Sequence, residues 1–157
     1  MTFTEEFEEL LRAFKKFNVD YMLVGAYALN FHGYNRSTSD LDVWAKSSVE
    51  NQNKINDALR YMGFAEKGLK QLMSLDFNKS FIFSVGEKPR CVEIFNSITG
   101  VKYEDAEKHK ISFEFANGLV VDFIEWRDLV INKLLTGRLK DQADVEELQK
   151  IINLKWK

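Results

Sequence analysis

The chain has 157 residues, 45% hydrophobic and 29% charged, and a formal charge of -2 at pH 7. That length suits one domain with a real core, and the balance of apolar and charged residues excludes a disordered chain. The slight acidity excludes a strong global pull on nucleic acid, although 22 Lys and Arg leave room for a local basic face.

No apolar run approaches the ~20 residues of a membrane helix. The acidic start MTFTEEFEEL lacks the basic and apolar regions of a signal peptide. Cys91 is the lone cysteine, so no intrachain disulfide forms and a reducing cytoplasm is the expected setting. Thirteen Phe predict an aromatic-rich core.

In chain order, Phe3, Phe7, Leu10, Leu11, Phe14 and Phe17 recur at helical spacing, with acids early, Lys15 and Lys16 late, and Thr2 or Thr4 as cap. Val19 to Val24 reads as a buried strand stopped by Gly25, and Ala26 to Phe31 as a short helix ended near Gly33. After a polar loop from Asn35 to Ser39, Leu41, Val43 and Ala45 alternate with Asp40, Asp42 and Trp44 in a second strand. Ser47 or Ser48 caps a helix running to about Met62, with Gly63 at its end. Leu69 to Leu75 is ambiguous.

Phe77 to Val85 and Arg90 to Phe95 read as strands around a turn holding Gly86 and Pro89, followed by a short acidic helix over Tyr103 to Lys108. Ile111 to Phe115 and Leu119 to Phe123 flank Asn117-Gly118, a strong hairpin signal. Helices from Trp126 to Thr136 and Lys140 to Leu154 close the chain, separated near Gly137. The expectation is one α+β domain over 1–157: a mixed β-sheet at about 19–124, flanking helices, and a C-terminal helical pair at about 125–155.

Four acid-x-acid pairs occur, and their context separates them. Glu6/Glu8, Asp105/Glu107 and Asp144/Glu146 fall in helical segments, where residues two apart do not share a face. Asp40 and Asp42 fall in a strand, where period-two geometry points both to one side while Leu41 and Val43 face the core. Two carboxylates so held repel each other unless a cation sits between them, and hard oxygen ligands suit Mg²⁺, which also takes substrate phosphates. Just upstream, Gly25-Ala26 marks a strand-to-helix turn whose free amides make a phosphate seat, with glycine permitting close approach.

The segment VGAYALNFHGYNRSTSDLDVW resembles the signature of the polymerase β-type nucleotidyltransferase superfamily. That signature is an apolar strand, Gly with Gly or Ser, a spacer (thirteen residues here), and Asp-x-Asp between apolar residues. The run Arg36, Thr38, Asp40, Asp42 and the late KLLTGRLKDQAD segment are similar to small bacterial abortive-infection toxin-like nucleotidyltransferases. Ala26 departs from the pattern, removing a hydroxyl contact while keeping the backbone donors.

The resemblance implies a nucleotidyltransferase-like fold and transfer of an NMP group from an NTP, ATP foremost, to a hydroxyl, with release of pyrophosphate and two Mg²⁺ ions. It implies Asp40 and Asp42 as metal ligands and a third carboxylate on a later strand, Glu93 in CVEIF or its rival Asp122 in VVDFI. Gly25, Ala26, Arg36, Thr38 and Lys133 are the expected nucleotide contacts, supported by Arg138, Lys140 and Asp141. The acceptor stays open among a tRNA, a protein side chain and a small molecule, and a toxin role would bring an antitoxin partner. The alternative is a catalytically weak or inactive nucleotide-binding module on the same fold.

Each residue also has a plainer reading. Asp40 and Asp42 can decorate a solvent-facing strand, Arg36 can pair with a surface acid, and Lys133 to Asp144 can be a charged helix surface. Trp44, Trp126 and Trp156 read as packing residues, and His32 as a helix-end packing residue. Two His and one Cys argue against a zinc site.

Overall fold

A computed structural model describes every residue except 38–39, 88–89 and 156–157; the expectations on Thr38, Ser39, Pro89 and Trp156 lie outside the described residues. The first helix, α1 (Glu5–Lys16), is capped by Thr4, whose hydroxyl accepts from Phe7 N at 3.2 Å. Glu5, Glu6 and Glu8 lie in its first turn and Lys15 and Lys16 in its last, complementing the dipole. Its stripe of Phe7, Leu10, Leu11 and Phe14 is buried, each side chain worth about 1.5–3 kcal/mol of transfer free energy.

Strand β1 (Tyr21–Val24) leads directly into α2 (Gly25–Phe31), and β2 (Leu41–Ala45) follows the polar loop. Helix α3 (Val49–Tyr61) is capped by Ser48, which accepts from Asn51 N at 3.0 Å. Asn51 is fully buried, accepting from Asp20 N and donating to the carbonyls of Asp20 and Lys46, so it ties the helix start to the ends of β1 and β2. The ambiguous 69–75 stretch is part of α4 (Glu66–Ser74), held by Gln52 Nε2 donating to the carbonyls of Leu72 and Leu75.

One expectation is corrected. The strand read over Phe77 to Val85 is confined to β3 (Ile82–Val85). Before it, Phe77 and Phe81 stack with ring centroids 4.2 Å apart and both are buried. Asn96 accepts from Phe81 N and donates to the carbonyl of Lys79, so side-chain bonds satisfy this backbone in place of a strand ladder.

The remaining elements are β4 (Val92–Phe95), α5 (Tyr103–Ala106), β5 (Ile111–Glu114), β6 (Val120–Phe123), α6 (Trp126–Leu135) and α7 (Leu139–Lys155). Among the described residues, six strands form one mixed sheet in the order β3-β4-β2-β1-β6-β5. The pairs β1–β6 and β2–β4 are parallel, and β1–β2, β3–β4 and β5–β6 are antiparallel. The last is the hairpin signalled by Asn117-Gly118.

Period two sorts the side chains onto two faces. Leu23, Leu41, Val43 and Ile94 join the cluster that includes residues of α1, α3 and α4. Met22, Val24 and Trp44 join Leu129, Val145 and Leu148 of the C-terminal helices. The fold is therefore α+β, a mixed sheet with flanking helices and a C-terminal helical pair. Asp42 projects on the face that meets those last two helices.

Candidate active site

Cross-strand register builds the site. Val24 of β1 lies opposite Asp42 of β2, Asp42 opposite Glu93 of β4, and Glu93 opposite Ser84 of β3. Residues opposite one another point the same way, so Asp42 and Glu93 stand side by side on one face. Ser84 Oγ donates to Glu93 Oε2 at 2.8 Å. Cys91 draws the third acid in: its Sγ lies 3.4 Å from Asp40 Oδ1 and 3.4 Å from Glu93 Oε1, and its backbone N donates to Asp40 Oδ1.

Gly25, the first residue of α2, meets Asp42 of β2. Its φ is +67°, in the left-handed region, and a Cβ there would fall 2.2 Å from Asp42 Oδ2. No other residue type satisfies both demands without displacing the carboxylate. The turn into α2 carries no side-chain cap.

The electrostatics follow from the crowding. Burial first, and then the negative charges of Asp40 and Glu93, push the Asp42 carboxyl up from 3.8 to about 6 against the pull of Lys133 and Lys140. Burial, with hydrogen bonding to Glu93 and Asp40, also pushes the Cys91 thiol up to about 11, so it stays protonated and donates.

Opposite the carboxylates, α6 and α7 supply an ion cluster. Lys133 is 6% exposed, and its Nζ lies 3.2 Å from Asp141 Oδ1 and 3.1 Å from Asp144 Oδ2. Asp141 also accepts from Thr136 Oγ1 and Arg138 Nε, both at 2.6 Å, and Arg36 Nη1 reaches Asp144 at 2.5 Å. Burial acts to raise the Asp141 carboxyl, but its hydrogen bonds to Thr136 and Arg138 and the charge of Lys133 outweigh that and hold it below its usual value. The loop carrying Arg36 is thereby fastened to the last helix.

Two chambers meet over Asp42. A cleft of about 370 Å³ is lined by Gly25, Ala26, Arg36, Asp40, Lys140 and others, and a larger one of about 810 Å³ opens beside Glu93. Gly25, Asp42, Lys133, Arg138 and Asp141 border both.

The structure thus gathers Gly25, Ala26, Arg36, Asp40, Asp42, Glu93, Lys133, Arg138, Lys140 and Asp141 around one double cleft. It places Asp122, the rival third acid, outside both chambers. Asp122 lies on β6, accepting from Lys110 Nζ at 3.1 Å and from Ser112, with β1 between it and Asp42. His32 is a packing residue as expected, its Nε2 2.8 Å from the Ile124 carbonyl. Ser84, Thr136 and the Arg36–Asp144 link were missed by sequence reasoning. Only the three-residue spacing of Asp141 and Asp144, which gives them one helix face, signals part of it.

Asp40, Asp42 and Glu93 offer hard oxygens suited to Mg²⁺. Among the described residues no three His, Cys, Asp or Glu side chains are already set as a metal cage. Mg²⁺ is ordinarily held by one or two carboxylates with water and substrate phosphate, so this open donor set fits an ion that arrives with a polyphosphate.

No family model matches the chain, and no curated protein matches it. Among solved structures, it is similar to a Thermotoga maritima protein described as a "putative nucleotidyltransferase", with a TM-score of 0.60 and 17% identity over 94% of this chain and 91% of that one. At that identity the likeness speaks for the fold: this chain has a nucleotidyltransferase-like fold.

Proposed function

We propose that the protein is a magnesium-dependent nucleotidyltransferase that moves an NMP group from an NTP, ATP foremost, to a hydroxyl acceptor and releases pyrophosphate. The observation that carries this reading is the side-by-side placement of Asp42 and Glu93 with Gly25 pressed against Asp42. The lift of the Asp42 carboxyl, by burial and by the charges of Asp40 and Glu93, supports it, since a bound cation would offset both.

In this reading Asp40, Asp42 and Glu93 hold two Mg²⁺ ions, which supply Lewis-acid chemistry: a lowered pKa for the acceptor hydroxyl and neutralised phosphate charge. The amides of Gly25 and Ala26, with Arg36 and Lys140, seat the polyphosphate. Lys133 gives two of its three donors to Asp141 and Asp144 and turns the third to phosphate. The acceptor oxygen bonds to the α-phosphorus as the bond to the bridging oxygen breaks. The electron pair leaves with pyrophosphate, and the hydroxyl proton goes to water.

A second reading, a nucleotide-binding module with little or no turnover, is favoured by Ala26 and by the double engagement of Lys133. The Arg36-to-Asp42 run supports a place beside toxin-like nucleotidyltransferases with an antitoxin partner, and the lone Cys91 supports a cytoplasmic setting. Label transfer from α-labelled ATP, run with extract as acceptor source, tests the enzyme. Transfer that needs Mg²⁺ and disappears in Asp40→Asn/Asp42→Asn supports it; nucleotide binding without transfer favours the module.

A further inference from the structure

We propose that the larger chamber receives the acceptor, and that the acceptor is an uncharged, hydroxyl-bearing small molecule with an apolar body. This rests on the nucleotidyltransferase reading and extends it to substrate class.

In-line displacement puts the attacking oxygen and the departing pyrophosphate on opposite sides of the phosphorus. The smaller chamber is the polyphosphate side, because Arg36 and Lys140 line it alone, beside the Lys133 and Arg138 that both chambers share. Asp42 lies where the chambers join, so the attacking hydroxyl enters from the larger one, into which Glu93 opens.

The lining of that chamber sets the chemistry of what enters. Phe81, Ile82, Phe95 and Ile98 form an apolar wall, and Ile82 stands 72% exposed on the edge strand. Neutral groups complete it, among them the Ser80 and Ser97 hydroxyls, 3.0 Å apart. Its cations, Lys133 and Arg138, are shared with the phosphate side and already paired with Asp141, and Asp42, Glu93 and Asp141 outnumber them. A polynucleotide derives its affinity from a track of phosphate contacts, and among the described residues this chamber has no unshared lysine or arginine to provide one. At about 810 Å³ it falls in the range that encloses a small organic ligand.

The test follows isoleucine methyl resonances of the full chain with Mg²⁺ and a non-hydrolysable ATP analogue. A set of uncharged aromatic and alicyclic alcohols, including 2-(4-hydroxyphenyl)ethanol, is titrated beside a short oligoribonucleotide. The alcohols are expected to shift Ile82 and Ile98, and the oligoribonucleotide to leave them in place. Ile82→Glu should weaken alcohol binding about tenfold with analogue affinity unchanged. The proposal is overturned if the oligoribonucleotide shifts these methyls, if no alcohol does, or if the analogue alone does, which would make the chamber a nucleobase pocket. Failure of the analogue with Mg²⁺ to raise the melting temperature is a separate result, and it removes the nucleotidyltransferase reading itself.

Discussion

Replacing Asp42 with asparagine exchanges a crowded carboxylate for an amide of the same shape against Gly25. In the folded protein that carboxyl titrates at about 6, against an ordinary 3.8. Below pH ~4 it is protonated in both folded and unfolded chains, and its stabilising proton is fully in place. Between pH ~4 and ~6 the unfolded chain ionises first, so the wild type loses stability as pH rises through the folded value. Each tenfold change in proton affinity is worth about 1.4 kcal/mol, which sets a ceiling near 3 kcal/mol. Solvent in the open cleft screens part of this, leaving about 2 kcal/mol. Asp42→Asn should therefore be more stable than wild type at pH 8 by about 2 kcal/mol, or about 4–8 °C in melting temperature, with roughly a third of that difference left at pH 4.5. Urea unfolding followed by tryptophan fluorescence, in EDTA to exclude divalent ions, measures both. A variant less stable at pH 8, or a difference independent of pH, would refute the reasoning.

The same geometry makes further predictions. Gly25→Ala combines a left-handed backbone with a Cβ driven into Asp42; thermal melts should show a loss of at least about 1–3 kcal/mol, and magnesium–ATP should no longer raise the melting point. Lys133→Met leaves Asp141 and Asp144 buried without their shared cation and should cost about 3–5 kcal/mol in urea unfolding, whereas Arg12→Ala at the exposed pair with Glu8 should cost no more than about 1 kcal/mol. Glu93→Gln should lower label transfer by about 100-fold, while Asp122→Asn, in its own cluster with Lys110 and Ser112, leaves transfer intact. Cys91, 2% exposed with its thiol pushed up to about 11, should resist iodoacetamide at pH 8 in the folded protein and react fully once unfolded.

Local signals were legible where one short-range rule dominated. Asp40 and Asp42 declared themselves because strand periodicity, a glycine turn and apolar neighbours all agree within about twenty residues. The Asn117-Gly118 hairpin and the Thr4 and Ser48 caps are equally local. The stretch around α4 resisted because its buried positions are Leu69 and Leu72 alone, and tertiary bonds from Gln52 hold it. The segment at Phe77 misled because β-rich aromatics also suit a loop when Asn96 satisfies its backbone. Pairing across the fold was beyond reach: nothing local joins Arg36 to Asp144, and the preference for Glu93 over Asp122 gains a geometric reason only from β4 lying beside β2.

The most direct measurement is a crystal structure with Mn²⁺ in place of Mg²⁺ and a non-hydrolysable ATP analogue, with anomalous data collected at the manganese edge. The account predicts a peak bridging Asp40, Asp42 and the analogue's phosphates, with the polyphosphate running past Gly25 toward Arg36 and Lys140. A peak at Asp122 or between Asp141 and Asp144, or an analogue seated away from Gly25, would contradict it.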